Sequence, residues 1–279
     1  MTGKHVGIDI GGTKALFVEV GAPIGQVRKV ETGMACRPQD LVREISRWLH
    51  SLENPPEAMG IAIPGLVSPG GEVVACDVLP GIVGWNPAAE FGGELPVHVV
   101  NDTNAALAES AHEIGREKSM VVVMVGTGIG AAIMANGNIV HGGKGWAGEM
   151  GSVPISFGRK VATLDELAGG AALLKQMGLD GDIAAERAKN GDPVVLRCVR
   201  RGGRALGLGL AMIINLLNPE VLILCGGTTQ YRAYMESALK TARKYSIPEL
   251  WNACDLRQPE NAEFIVALGA ARLAADLHT

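Results

Sequence analysis

Two stretches of this chain share one design. IDIGGTKALFVEV at residues 8–20 and VMVGTGIGAAIMA at 123–135 each run apolar strand, Gly/Thr turn, apolar strand. Such an echo constrains the fold more than any other feature: it predicts two α/β halves, each opening on a hairpin with a glycine-rich turn. Apolar periodicity predicts strands at 6–10, 15–20, 27–32, 58–63 and 97–100, and helices over 39–52 and from 103 to about 115. A second strand–turn–strand unit covers 120–140, with Asn136-Gly137 as its hairpin signal. Beyond residue 160 the pattern is mainly helical (about 164–177, 182–190, 193–217, 229–245 and 267–277), with a strand at 221–225 that ends in Gly226-Gly227.

At 279 residues and 47% hydrophobic content, the chain can bury one large core or two moderate ones. Its net charge of −4 and pI near 5.9 provide no general basic field, which argues against nucleic acid and membrane surfaces as partners. An anionic ligand must therefore be met locally. Cys36, Cys76, Cys198, Cys225 and Cys254 are odd in number and contain no C-x-x-C pair, so they read as reduced thiols. Asp9, Lys14 and Glu19 interrupt any signal-peptide core, and a cytoplasmic location is expected. Residues 205–227 hold a single charge, but Asn218-Pro219-Glu220 breaks the run, so it reads as buried helix then buried strand.

The turns carry the first chemical signal. Glycines let backbone N–H groups converge on a ligand, so Gly11, Gly12, Thr13 and Gly126, Thr127, Gly128 can cradle a polyphosphate from two sides, with Lys14 offsetting its charge. Asp9, at a strand end beside the first turn, is placed to hold Mg²⁺ through water. Alone, Gly-Gly-Thr-Lys serves equally well as a hairpin turn with an exposed lysine. Residues 126–131 also satisfy G-x-G-x-x-A, but a dinucleotide fingerprint must open a helix, and here a returning strand follows.

Asp102 directly follows one strand and directly precedes a helix. It can be the N-cap, or it can accept the proton of a hydroxyl that attacks a γ-phosphate. The loop GGKGWAGEMG at 142–151 reads either as a surface loop or as a pocket wall whose Glu149 bonds sugar-like hydroxyls. The six histidines lack metal-ligand spacing and read mostly as surface residues.

Taken together, DIGGTK at 9–14, NDTNAALAE at 101–109, GTGIGAAI at 126–133, GWAGEMG at 145–151, LNPEVLILCGG at 217–227 and ALGAA at 267–271 resemble the ROK family of sugar kinases, within the actin/hexokinase/Hsp70 superfamily. The resemblance implies a two-lobed actin-like ATPase fold, a duplicated ribonuclease-H-like α/β topology with an interlobe active-site cleft. The N-terminal lobe would cover 1–115 and the C-terminal lobe 116–261, with a C-terminal helix in 262–279 packing back on the first. It further implies a γ-phosphoryl transfer from ATP to a hydroxyl of a hexose or N-acylhexosamine, in a homodimer. Asp102 would be the catalytic base; Gly65, Asn101, Asp102, Glu149, Ser152 and Asp165 would line the sugar; and Gly226 with Gly227 would wall the adenosine.

Three departures from the family pattern bear on the substrate. The G-E-x-G-H histidine is replaced by Ser152. The family's C-x-C-G-x-x-G-C-L-E zinc segment corresponds to ISFGRKVATLDEL at 155–167, without cysteine and with Asp165 near the place of its glutamate, so no zinc is expected. PGIVGW at 80–85 lacks the asparagine of the family's P-N-L-x-G-W. An aminosugar or cyclitol acceptor, polyphosphate as donor, and a non-catalytic nucleotide-binding regulator remain as alternatives. A repressor is disfavoured because only eight residues precede Asp9, too few for a helix-turn-helix.

Overall fold

The structure is a computed structural model that describes residues 5–20, 27–93, 95–157 and 160–276. Gly158-Arg159 of the 155–167 segment, His278 and the expected helical end at 277 lie outside the described residues. In chain order the elements are β1 (His5–Ile10), β2 (Lys14–Glu19), β3 (Arg28–Glu31), α1 (Pro38–Ser51), β4 (Ala58–Ile63), β5 (Leu66–Val67), β6 (Val73–Ala75), α2 (Pro87–Phe91), β7 (Val97–Asn101) and α3 (Asp102–Ile114). Next come β8 (Met120–Val125), β9 (Ile129–Ala135), β10 (Asn138–Ile139), β11 (Pro154–Phe157), β12 (Lys160–Thr163), α4 (Leu164–Ala168), α5 (Gly170–Met177), α6 (Gly181–Lys189) and α7 (Pro193–Leu217). The chain closes with β13 (Val221–Cys225), α8 (Arg232–Tyr245), α9 (Pro248–Ala253), β14 (Asp255–Arg257) and α10 (Ile265–Asp276).

Two compact units emerge: one holds residues up to 117, 138–147 and from 261 onward, the other 118–137 and 148–260. In the first unit the sheet runs β3-β2-β1-β4-β7, with β1 antiparallel to β2 and parallel to β4, and β4 parallel to β7. Alternation along β1 sends Val6, Ile8 and Ile10 to the face covered by α1, where Phe17 meets Trp48 edge-on at 5.2 Å between ring centroids. Gly7 and Asp9 take the opposite face. There α10 lies so close that a Cβ on Gly7 would stand 1.8 Å from the Ala267 carbonyl oxygen, and one on Gly60 1.9 Å from that of Ala270. Glycine is what permits this backbone approach.

In the second unit β9-β8-β13-β14 are hydrogen-bonded neighbours in that order, again a hairpin followed by parallel strands. Its core packs Val121, Val123, Leu222 and Leu224 against Leu206, Leu210 and Ile214 of α7. Asp192 caps α7 by accepting from the N–H groups of Val194 and Val195, and left-handed Asn218 ends it, so the helix occupies the expected 193–217. At Asn136-Gly137 both φ angles are positive, 51° and 76°, as a two-residue hairpin requires.

Other expectations shift. The helix anticipated over 164–177 breaks at extended Gly169, because Gly170 and Ala171 donate their N–H groups to Gly126 and Thr127 rather than continue α4. That over 229–245 starts at Arg232, after a 3₁₀ turn at Gly227–Gln230 in which the Thr229 hydroxyl bonds Gly226. His50, His112 and His141 are exposed, in line with the expectation for most histidines, while His5 and His98 are half-buried, and burial holds His98 below its usual range. Among the described residues no helix is long and apolar enough to cross a membrane.

Candidate active site

In the first unit the turn after β1 is pinned through its carbonyls. Thr32 donates its hydroxyl to Gly11 O (2.6 Å) and its N–H to Thr13 O (3.0 Å), while Gly11 N–H closes on Lys14 O (2.9 Å). Among the described residues no protein group accepts from the N–H of Gly12 or Thr13, so those two donors are available to an anion. Lys14 Nζ sits 3.2 Å from Glu263, which also takes Lys29 at 2.7 Å.

Asp9 is half-buried at the end of β1. Burial first, and then the Asp102 carboxylate, push it up to about 7, with Lys14 opposing. A carboxylate whose charged form is penalised until a cation arrives fits Mg²⁺, which takes one such ligand alongside waters and phosphate oxygens. Among the described residues no group of three or more His, Cys, Asp or Glu could hold a metal.

Asn101 is the N-cap of α3: its Oδ1 accepts from Thr103 N–H (2.9 Å) and Asn104 N–H (3.4 Å). Its Nδ2 donates to Gly65 O at 3.0 Å, leaving one amide hydrogen for another acceptor. Capping therefore falls to Asn101, and Asp102 is the first helical residue, half-buried, with Oδ1 accepting from Thr103 N–H at 2.8 Å. Gly65 is wedged against β6, where a Cβ would reach 2.1 Å from Ala75 O. Trp146 Nε1 donates to Val67 O (3.0 Å), anchoring residues 142–147 to this unit.

In the second unit Gly126 N–H closes on Gly128 O (2.9 Å), and again no described group accepts from Thr127 or Gly128 N–H. Asp165 Oδ1 accepts from Ile129 N–H at 2.6 Å. Gly148, with φ of 105°, lies under Ala131, whose N–H it accepts at 2.8 Å, and this places exposed Glu149 and Ser152 on a 3₁₀ turn. Beside the Gly126-Thr127 turn opens a cavity of about 1060 Å³ whose floor is Gly227-Thr228 and whose walls include Leu173, Met177, Leu196 and Tyr231. Apolar walls above a polar glycine turn suit a nucleoside with its phosphates on the turn. Gly226, with φ of 97°, precedes that floor and makes the bend. The wall residues of α5 to α8 were not singled out in the sequence, because an apolar helix face over a cavity reads like one over core.

A ROK family model matches residues 5–277, and the chain belongs to that family. The ROK hexokinase structure from Thermus thermophilus aligns with a TM-score of 0.80 at 27% identity over 99% of each chain, so the fold is the two-lobed actin-like one. A glucokinase of Halalkalibacterium halodurans is 27% identical, covering 91% of this chain and 89% of the relative. A kanosamine kinase of Amycolatopsis mediterranei is 29% identical over 81% of each.

Proposed function

We propose that the chain is an ATP-dependent sugar kinase that phosphorylates a hydroxyl, the 6-OH, of a hexose or N-acylhexosamine. The observation that carries this is the pair of turns, each with its carbonyls tied back and two N–H groups left for an anion, one of them beside a cavity roomy enough for a nucleotide. In this reading Asp102 takes the proton of the acceptor hydroxyl as its oxygen attacks the γ-phosphorus and ADP leaves. Glu149, Ser152, Gly65 and the second amide hydrogen of Asn101 orient the acceptor. Asp9 would hold Mg²⁺, which would supply charge neutralisation at the phosphates. Gly11, Gly12, Thr13 and Lys14 line phosphate in the first unit; Gly126, Thr127, Gly128, Gly226 and Gly227 serve the nucleotide in the second.

Ser152 and Gly81 stand where the family pattern has an imidazole and an amide, which favours an aminosugar as second acceptor class, and a kanosamine kinase is among the relatives. A homodimer accords with an exposed apolar face of Met212, Leu216, Tyr245 and Ile247, joined through Asn215, and light scattering tests it.

The test is a coupled ADP-release screen with ATP·Mg²⁺ over hexoses, N-acylhexosamines, aminosugars and cyclitols. Turnover with one acceptor is expected. Asp102→Asn should then lower it by about 10²–10⁴-fold while nucleotide binding persists. Silence from folded protein that binds nucleotide would overturn the kinase reading, and unchanged turnover in the variant would remove Asp102 from the chemistry.

A further inference from the structure

The second turn is held largely by one short segment, residues 165–171, together with Thr228. Gly126 O accepts from Gly170 N–H (2.9 Å) and from the Thr228 hydroxyl (3.1 Å), and Thr127 O accepts from Ala171 N–H (3.0 Å). Gly170 and Ala171 are first-turn donors of α5 with no intrahelical partner, so the turn's carbonyls and the helix end satisfy each other. The segment's charged contribution is the Asp165 carboxylate on Ile129 N–H.

That carboxylate has a second neighbour. A Cβ on Gly151 would lie 2.3 Å from Asp165 Oδ2 and 2.5 Å from Oδ1, so Asp165 also rests against the loop that carries Glu149 and Ser152. The start of α4 does not require it, since Thr163 and Glu166 form a capping box at 2.8 and 3.3 Å.

We propose that Asp165 is a positioning residue for the phosphoryl donor: its carboxylate fixes the 126–129 turn so that Thr127 and Gly128 present their N–H groups to phosphate, and through Gly151 it holds the Glu149 loop in register with that turn. This rests on the nucleotide reading of the second unit. Its Oδ1 accepts from a backbone donor, and Gly151 packs against the carboxylate.

The experiment is calorimetric binding of AMPPNP·Mg²⁺ to the full chain without acceptor, comparing Asp165→Ala, Asp165→Asn and Gly151→Ala. Asp165→Ala removes a charge-assisted bond and should weaken binding roughly tenfold, raising KM for ATP by the same factor. Asparagine keeps an oxygen for Ile129 N–H and should stay within about twofold of the parent. Gly151→Ala pushes the carboxylate off the turn from the far side and should reproduce the loss. Parental nucleotide affinity in Asp165→Ala overturns the proposal; so does a defect confined to acceptor KM. If Asp165→Ala does not fold, Gly151→Ala decides: folded with weakened AMPPNP binding supports the proposal, folded with parental affinity refutes it. A parent that binds AMPPNP but phosphorylates nothing defeats the kinase reading alone, and the binding comparison still decides the role of Asp165.

Discussion

Gly60→Ala is the sharpest test of how the first unit is held together. The added methyl would stand 1.9 Å from Ala270 O, 2.1 Å from its carbonyl carbon and 2.7 Å from Ala271 N, all backbone atoms of α10. With ordinary contact starting near 3.4 Å, the helix has to withdraw by about 1.5 Å. A radial gap of about half that size already forfeits a quarter to a half of each dispersion contact, and Ile265, Val266, Ala267, Ala270, Ala271 and Ala274 are buried on that helix. Overpacking usually costs about 1–3 kcal/mol; a clash with backbone, which cannot rotate away, belongs at or above the top of that range. For a unit of this size, about 3 kcal/mol lowers Tm by roughly 6–12 °C. Calorimetry and hydrogen exchange over 265–276 are the assays. Gly93→Ala is the control, since nothing stands within 4 Å of its added methyl, and it should stay within about 0.5 kcal/mol of the parent. Equal melting of the two variants, with α10 still protected, would refute the close-packing argument.

Three further outcomes are expected. Arg272 forms a two-point ion pair with Glu109, whose side chain is 5% exposed; Arg272→Met strands that carboxylate and should cost about 3–5 kcal/mol in urea denaturation, and a loss below about 1 kcal/mol would contradict the pairing. Because the folded chain raises Asp9 from 3.8 to about 7, its contribution to stability is complete below 3.8 and is lost as pH rises through about 7; without divalent cations Asp9→Asn should flatten that decline, and identical pH profiles would dismiss it. A zinc chelator should leave melting and turnover unchanged, since residues 155–167 contain no cysteine; stoichiometric zinc by mass spectrometry would contradict this.

Long and strongly patterned elements were legible in the sequence for identifiable reasons. Helix α7 announced both ends, Asp192-Pro193 at the start and Asn218-Pro219 after the finish, and β1, β4, β8 and β13 showed as apolar runs closed by polar or glycine residues. The two-to-six-residue pieces β5, β6, β11, β12, β14, α2 and α9 escaped, being too short for periodicity to register. Asp102 had two readings that sequence position could not separate. They part only in three dimensions, where the side chain of Asn101 does the capping.

The glycine turns show the same division at finer scale. Spacing marks where N–H groups can converge, yet a turn presents them only if its carbonyls are held on the other side. In the first unit that restraint is Thr32 on Gly11 and Thr13; in the second it is Gly170, Ala171 and Thr228 on Gly126 and Thr127. The duplication therefore extends to the bonding logic of the turns, a threonine hydroxyl on a glycine carbonyl in each, but the restraining residues share no spacing: Thr32 lies 21 residues from Gly11 and Thr228 lies 102 residues from Gly126. Internal comparison of the sequence aligns the two turns and cannot align what holds them.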